Sequence, residues 1–213
     1  MSALGCRSPA KWGRRKWVRT TVARLPPLTR DAAEATLARV ETGELKIARQ
    51  PLARLATTQD VREIVRICSE GWRDTYCELK PTQYIEQTIA EFYTPERIAG
   101  EIGAAGDSWD GYVVAELDGQ LLVAGGGGMI EPIAGEVFVL YADPRQRRRG
   151  GGTAVLQFIT AQQKEHGATE QWVSVEPNNN LGLAFYRARG FLDRGRRPAY
   201  RGDGESLRLC RAV

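Results

Sequence analysis

Asp143-Pro144-Arg145-Gln146-Arg147-Arg148-Arg149-Gly150-Gly151-Gly152 is the run around which the other signals of this chain gather. Before it stands Val137-Phe138-Val139-Leu140-Tyr141-Ala142, apolar and β-leaning. After it, Thr153 to Ile159 carries apolar residues at helical spacing. A strand, a turn rich in Arg and Gly and a helix start form a physical device for holding phosphate. Backbone N–H groups and the helix dipole point at the anion, glycines let the backbone approach, and arginines add charge. Two common phosphate loops fail the test. The Walker pattern needs Lys-Ser/Thr after its second Gly, and no Lys follows Gly152; the dinucleotide fingerprint is not met by Gly150, Gly152 and Val155. Taken alone, the run also reads as a solvated basic turn.

At 213 residues the chain can bury a real core, as one domain with an extension or as two small ones. No apolar run approaches the roughly 18–20 residues that span a bilayer, and the start lacks a secretory apolar segment. The four cysteines (Cys6, Cys68, Cys77, Cys210) show no CxxC spacing, and only His166 could join them as a soft ligand. A zinc site and a disulfide framework are therefore not expected, and the reducing cytoplasm is the simplest setting. The net charge is +4, but residues 1–30 carry Arg7, Lys11, Arg14, Arg15, Lys16, Arg19, Arg24 and Arg30 without an acidic residue. Such an arm suits a nucleic-acid or membrane surface or a targeting peptide; a disordered tail or sequence upstream of the true start reads equally.

Residues 1–50 are read as a basic extension with a short helix over Thr29–Val40, and 51–213 as the main domain. There Leu52–Ala56 predicts a strand. Thr57 to Asp60 caps a helix through Val61, Ile64, Val65, Ile67 and Cys68. Helices follow over Thr82–Phe92 and from Pro95, with Pro at the first helical position. Gly111–Leu117 and Gln120–Gly128 form a hairpin through Asp118-Gly119, and Glu136–Ala142 follows a loop around Pro132 and Gly135. The glycines Gly125–Gly128 read as looseness or as close packing on backbone, with looseness the commoner meaning. A helix to about His166, a strand Gln171–Val175, a helix Gly182–Ala188 and strand segments at Phe191–Leu192 and Glu205–Cys210 complete the order. That order is α/β in the mixed α+β sense.

Pro144-x-x-Arg147-x-x-Gly150-x-Gly152 is joined, about thirty residues on, by Val175-x-x-x-Asn179-x-x-Gly182-Leu183-x-Phe185-Tyr186-x-x-x-Gly190-Phe191. Together these motifs resemble the GCN5-related N-acetyltransferase superfamily over roughly residues 52–213. The resemblance implies a mostly antiparallel twisted sheet with a parallel splayed strand pair and helices on both faces. It also implies acetyl-CoA as donor, direct attack by an amine and no metal. Two departures are mild: Gly182 stands where Ala is usual, and the loop is richer in Arg and Gly than most.

On that resemblance Arg147, Arg148, Arg149, Gly150, Gly151, Gly152 and Thr153 cradle the pyrophosphate. Backbone at Leu140, Tyr141 or Ala142 polarises the thioester carbonyl. Asn179 holds a coenzyme amide or caps its helix, and Tyr186 donates a proton to the leaving thiolate. The amine must lose a proton, and Glu136 is the first candidate to take it, on the expectation that it shares a face with Phe138 and Leu140. Glu131 and Glu176 are alternatives, each equally readable as a surface carboxylate, and His166 reads as a surface residue. Trp72-Arg73-Asp74-Thr75-Tyr76, Pro81-x-x-Tyr84-Ile85, Tyr93 to Ile98 and Ala199 to Asp203 resemble the bacterial polyamine acetyltransferase branch. Trp72, Asp74, Tyr76 and Glu78 would then line a site for a small polyamine-like amine. Protein N-termini, aminoglycosides and a non-catalytic acyl-CoA sensor are the rivals. A homodimer is the candidate assembly, and neither nucleic acid nor membrane is expected as a partner.

Overall fold

The computed structural model describes residues 49–104, 106, 108–199 and 204–213. The predicted Thr29–Val40 helix, the basic arm and the Tyr200–Asp203 stretch lie outside them. Residues 48–213 form a compact unit. Strand β1 (Leu52–Leu55) leads through a 3-10 turn at Thr58–Asp60 into helix α1 (Val61–Tyr76). The turn is set by Asp60, which accepts from the Thr57 N–H at 2.7 Å and from both terminal nitrogens of Arg54 at 2.7 and 2.9 Å. Helices α2 (Thr82–Phe92) and α3 (Pro95–Gly103) follow. Thr94 Oγ1 caps α3 by accepting from the Arg97 N–H at 3.2 Å.

Strands β2 (Tyr112–Leu117), β3 (Gln120–Glu131) and β4 (Ala134–Ala142) come next. The β2–β3 turn has positive φ at both Asp118 (51°) and Gly119 (76°), the conformation that matches strand twist in two-residue hairpins. Helix α4 (Gly151–Glu165), strand β5 (Glu170–Val175), helix α5 (Asn180–Arg187) and strands β6 (Leu192–Pro198) and β7 (Glu205–Ala212) complete the chain. The sheet order is β1-β2-β3-β4-β5-β7-β6, antiparallel throughout except for parallel β4 and β5.

Alternation along the strands divides the core into two layers. Val113, Ala115 and Val123 face α4 and meet its Val155, Leu156 and Ile159. Tyr112, Val114 and Ala124 face the other way, onto Ile64, Ile67 and Cys68 of α1, Ile85 and Ile89 of α2 and Ile98 of α3. Burying each such aliphatic chain contributes about 1.5–3 kcal/mol, so helices cover both faces because both are apolar.

Three sequence expectations need correction here. The loop around Pro132 and Gly135 shrinks to Pro132-Ile133, because β3 runs on to Glu131 and β4 starts at Ala134. Gly135 pairs with Met129 inside the ladder, and the Gln163 side chain lies against it on its way to the carbonyls of Glu136 (2.9 Å) and Gly128 (3.2 Å). The glycine run Gly125–Gly128 marks close packing rather than looseness. A Cβ on Gly126 would stand 2.1 Å from the Trp109 ring, and one on Gly128 2.2 Å from the Ser108 carbonyl oxygen. Last, the register slips between Gly126↔Val139 and Gly127↔Val137, so Phe138 is bulged out. The bulge inverts the alternation. Val137 packs in the α4 layer, but so do Leu140 and Ala142, while Val139 and Tyr141 join the opposite layer. Glu136 therefore does not share a face with Leu140.

Candidate active site

The basic turn is built between the end of β4 and the start of α4. Asp143, buried, accepts from the Arg145 N–H at 2.9 Å and from the Arg66 guanidinium at 3.0 Å. Burial opposes its ionisation, but hydrogen bonds from the Arg145 guanidinium, the Arg145 N–H and Arg66 outweigh burial and hold its pKa below the usual carboxylate range. Arg148 (φ 63°) and Gly150 (φ 87°) reverse the chain into α4. Gly151 lets the helix start press onto β3, where a Cβ would come within 2.8 Å of Val123. Among the described residues, the backbone N–H groups from Arg147 to Gly152 have no backbone acceptor. Six consecutive amides at a helix N-terminus constitute a strong anion site.

Beside this turn the sheet opens. The β4–β5 pairing ends at Val137↔Val173, so beyond that point β4 is paired on its β3 side alone. A cleft of about 330 Å³ lies here, with Leu140, Tyr141 and Ala142 on one wall and Asn179, Gly182 and Tyr186 on the other. Its mouth is the Arg147–Thr153 turn. All the residues expected to hold the donor therefore surround one opening. Asn179 caps α5, its Oδ1 accepting from the Gly182 N–H at 2.9 Å. The cap also explains Gly182: a Cβ there would meet the Asn179 amide nitrogen at 2.8 Å.

Tyr186 is 7 % exposed and lies between Phe185 and Phe191, with ring centroids 5.1 and 5.2 Å away. Burial raises its pKa above that of a free phenol, so the hydroxyl keeps its proton at neutral pH. The Trp72 and Tyr76 rings stand 4.3 Å apart, and Trp72 Nε1 donates to the Tyr93 hydroxyl at 3.1 Å. Tyr76 in turn interacts with the Tyr141 hydroxyl and the Asn179 side chain. Burial pushes the pKa values of Tyr76, Tyr93 and Tyr141 up as well. Of this aromatic group, Tyr141 lines the cleft.

The expected acceptor residues do not converge. Trp72 and Tyr76 lie one helical turn apart and face the core, whereas Asp74 between them points away and ion-pairs with Arg147 of the turn. Glu78 is exposed. Of the candidate bases, Glu136 is 3 % exposed and accepts from Ser174 Oγ at 3.2 Å and from Arg208, with Arg197 at 3.5 Å. Glu176 pairs with Lys80 at 2.8 Å, and Glu131 is exposed at the end of β3. His166 is half-exposed at the end of α4, with Nδ1 3.3 Å from Asp110.

Sequence reasoning missed Arg189, Phe185, Leu181, Gln146 and Thr75, all of which border the cleft. The one available signal was the spacing of Phe185 and Arg189, four apart on a helix, where a cation can lie over a ring; Arg189 Cζ sits 3.7 Å from that centroid. A second groove, near Arg54, Asp60, Arg66 and Asp143, is larger, but its charges are paired with one another. Among the described residues no three His, Cys, Asp or Glu side chains stand together as metal ligands, and no helix is long and apolar enough to cross a membrane.

Comparison with known proteins agrees with this geometry. The family model described as the acetyltransferase (GNAT) family matches residues 68–191. Spermidine N(1)-acetyltransferase of Thermoplasma acidophilum is 25% identical over 142 residues, covering 65% of this chain and 86% of that protein. Among solved structures, PaiA N-acetyltransferase of Thermoplasma acidophilum in complex with coenzyme A superposes with a TM-score of 0.67 at 23% identity, over 78% of this chain and 100% of that one. Ard1 of Thermoplasma volcanium gives 0.56 at 18% identity, over 78% of this chain and 99% of that one. At such identities the structural likeness is one of fold.

Proposed function

This chain belongs to the acetyltransferase (GNAT) family, and from that premise we propose that residues 51–213 move an acetyl group from acetyl-CoA to a primary amine by direct attack. One observation carries the reading: the run of amides without acceptors from Arg147 to Gly152 opens onto the point where β4 and β5 part. Acetyl-CoA, when bound, supplies an acetyl group activated as a thioester. Its phosphates suit the amides and dipole of α4, and its arm suits the opening beside Leu140 to Ala142.

The chain's own groups meet the remaining demands. Along Phe138–Ala142, alternate N–H and C=O groups point away from β3 into the opening, and an N–H there polarises the carbonyl that is attacked. Tyr186, protonated and bordering the cleft, donates its phenolic proton to the departing sulfur. Glu136 takes the proton of the amine. Its carboxylate does not line the cleft; it accepts from the Ser174 hydroxyl, one residue past the last β4–β5 pair, which can pass the proton on, and Arg197 and Arg208 fix its orientation.

For the acceptor we propose a small polyamine-like amine. The relative named as a spermidine N(1)-acetyltransferase supports this, as does the aromatic group of Trp72, Tyr76, Tyr93 and Tyr141. Asp74 takes part only when its pair with Arg147 opens. A peptide N-terminus is the second reading, favoured by the Arg197 and Arg208 guanidiniums beside Glu136, which suit an acceptor bearing carbonyl or carboxylate oxygens. Free thiols at Cys68, Cys77 and Cys210 fit a cytoplasmic setting.

The test is thiol release from acetyl-CoA across spermidine, spermine, an aminoglycoside and peptides with free N-termini, with products identified by mass. Turnover on the polyamines supports the proposal, and turnover on peptides alone transfers it to the second reading. Coenzyme A binding without turnover on any amine would leave a sensor.

A further inference from the structure

We propose that Arg189 is a phosphate ligand of the donor cleft, binding a phosphate of the coenzyme alongside the Arg147–Gly152 amides. The inference rests on the acetyl-CoA reading and assigns a role to a side chain at a position that neither sequence motif specifies.

The argument starts from charge pairing. Half-buried guanidiniums need an anion, because removing a cation from water without compensation is costly. Arg54, Arg66, Arg147 and Arg208 are half-buried, and each has a carboxylate: Asp60, Asp143, Asp74 and Glu136 respectively. Arg189 and Arg211 are equally half-buried, and among the described residues neither has one. They are also neighbours: Arg211 Nη1 donates to the Arg189 carbonyl oxygen at 3.0 Å, so each charge worsens the other's position. Burial lowers the pKa of both.

Geometry separates the two. Arg211 lies over Phe191 and spends its donors on Gln171, Thr160 and the Arg189 carbonyl. Arg189 borders the cleft. Its guanidinium lies over the Phe185 ring, with Nη1 donating to the Phe185 carbonyl at 2.8 Å and Nη2 to Thr153 Oγ1. Thr153 follows directly on Gly152 in the first turn of α4, so the charge is tethered beside the amides that face the anion. Nη1 and Nη2 each keep a second N–H, since a guanidinium has five donors. Nε is buried without a partner, which makes the resting position costly and a small shift toward a phosphate inexpensive.

Affinities for coenzyme A, dephospho-coenzyme A and pantetheine, measured by calorimetry or displacement on the full chain, test this in wild type, Arg189→Leu and Arg189→Lys. Arg189→Leu is expected to weaken coenzyme A binding roughly ten- to a hundredfold, the range for a hydrogen bond between charged groups. It should leave pantetheine within about twofold and the free protein's melting temperature unchanged or raised, because an uncompensated charge has gone. Arg189→Lys should recover part of the loss. If dephospho-coenzyme A is spared, the contact is to the 3′-phosphate; if it weakens equally, to the pyrophosphate. Unchanged coenzyme A affinity overturns the proposal, as does equal weakening of coenzyme A and pantetheine together with a lower melting temperature. Failure of the wild type to bind coenzyme A would instead sink the acetyl-CoA reading itself.

Discussion

Replacing Tyr186 by Phe tests the proposed acid with little structural disturbance. The ring keeps its edge contacts with Phe185 and Phe191, at centroid distances of 5.1 and 5.2 Å, and only the hydroxyl goes. That hydroxyl has no hydrogen-bond partner among the described residues, so folding stability should change by less than about 1 kcal/mol. The catalytic loss is bounded by the same burial. A free phenol has a pKa of about 10, already above a thiol's roughly 8.5, and burial raises Tyr186 further, which makes it a weak donor to a thiolate. The expected effect is therefore the low end of acid catalysis: turnover should fall about ten- to a hundredfold, or about 1.4–2.7 kcal/mol in the barrier. Steady-state thiol release with the best amine gives kcat, and calorimetry gives coenzyme A affinity, which should stay within about twofold. Unchanged turnover would remove Tyr186 from the mechanism; a large loss of coenzyme A affinity would make it a binding residue instead.

Gly127→Ala should destabilise the fold by about 1–3 kcal/mol, since its Cβ would stand 2.4 Å from the Glu136 carbonyl oxygen and 3.0 Å from Gln163 Nε2. A denaturation midpoint matching wild type would mean that the bulge tolerates more than its geometry suggests. Asp74→Asn releases Arg147 from an exposed pair worth at most about 1 kcal/mol, so coenzyme A should bind up to about fivefold more tightly. Weaker binding would show instead that Asp74 aims Arg147 at the ligand. Stability should fall at both ends of the pH scale. Tyr76, Tyr93, Tyr112, Tyr141 and Tyr186 have folded pKa values raised by burial, so the native state binds more protons and stability declines as pH rises above about 10, the unfolded phenol value. Asp60 is lowered, first by its Arg54 hydrogen bonds, and the stability this adds above about pH 4 is lost as pH falls through its folded pKa. Urea midpoints that stay level from pH 9 to 11 would contradict the first half.

Local chemistry was legible wherever one residue type has one cheap conformation. Asp118-Gly119 takes positive φ at both positions, Thr94-Pro95 opens α3, and Gly150 turns the chain into α4. The two separated motifs were legible for the same reason, since their glycines and Asn179 answer to backbone geometry. What stayed hidden depended on other parts of the chain. Nothing in Val137-Phe138-Val139 marks a bulge, because its cause is the register against β3. The glycine run looked loose because Trp109 and Ser108, which press on it, come from a separate segment. Asp74 was grouped with Trp72 and Tyr76 by proximity in sequence, whereas the pitch of α1 turns it toward Arg147. Strand β6 escaped full detection because all seven of its residues are exposed, so no alternation distinguishes one face from the other.

The bulge at Phe138 gives β4 two reading frames for its side chains. Upstream, Val137 belongs to the layer under α4; downstream that place passes to Leu140 and Ala142, and Tyr141 joins the aromatic group on the far side. A change of residue at Phe138 leaves this arrangement intact as long as the register against β3 keeps the bulge. Pairing every residue in turn would carry the first frame through to Ala142, turning Tyr141 toward α4 and Leu140 away from it, whereas deleting Phe138 would remove the bulge and leave both facing as they do. The two faces of β4 are coupled by its register against β3, and a search for their specificity by substitution along β4 alone would not find that coupling.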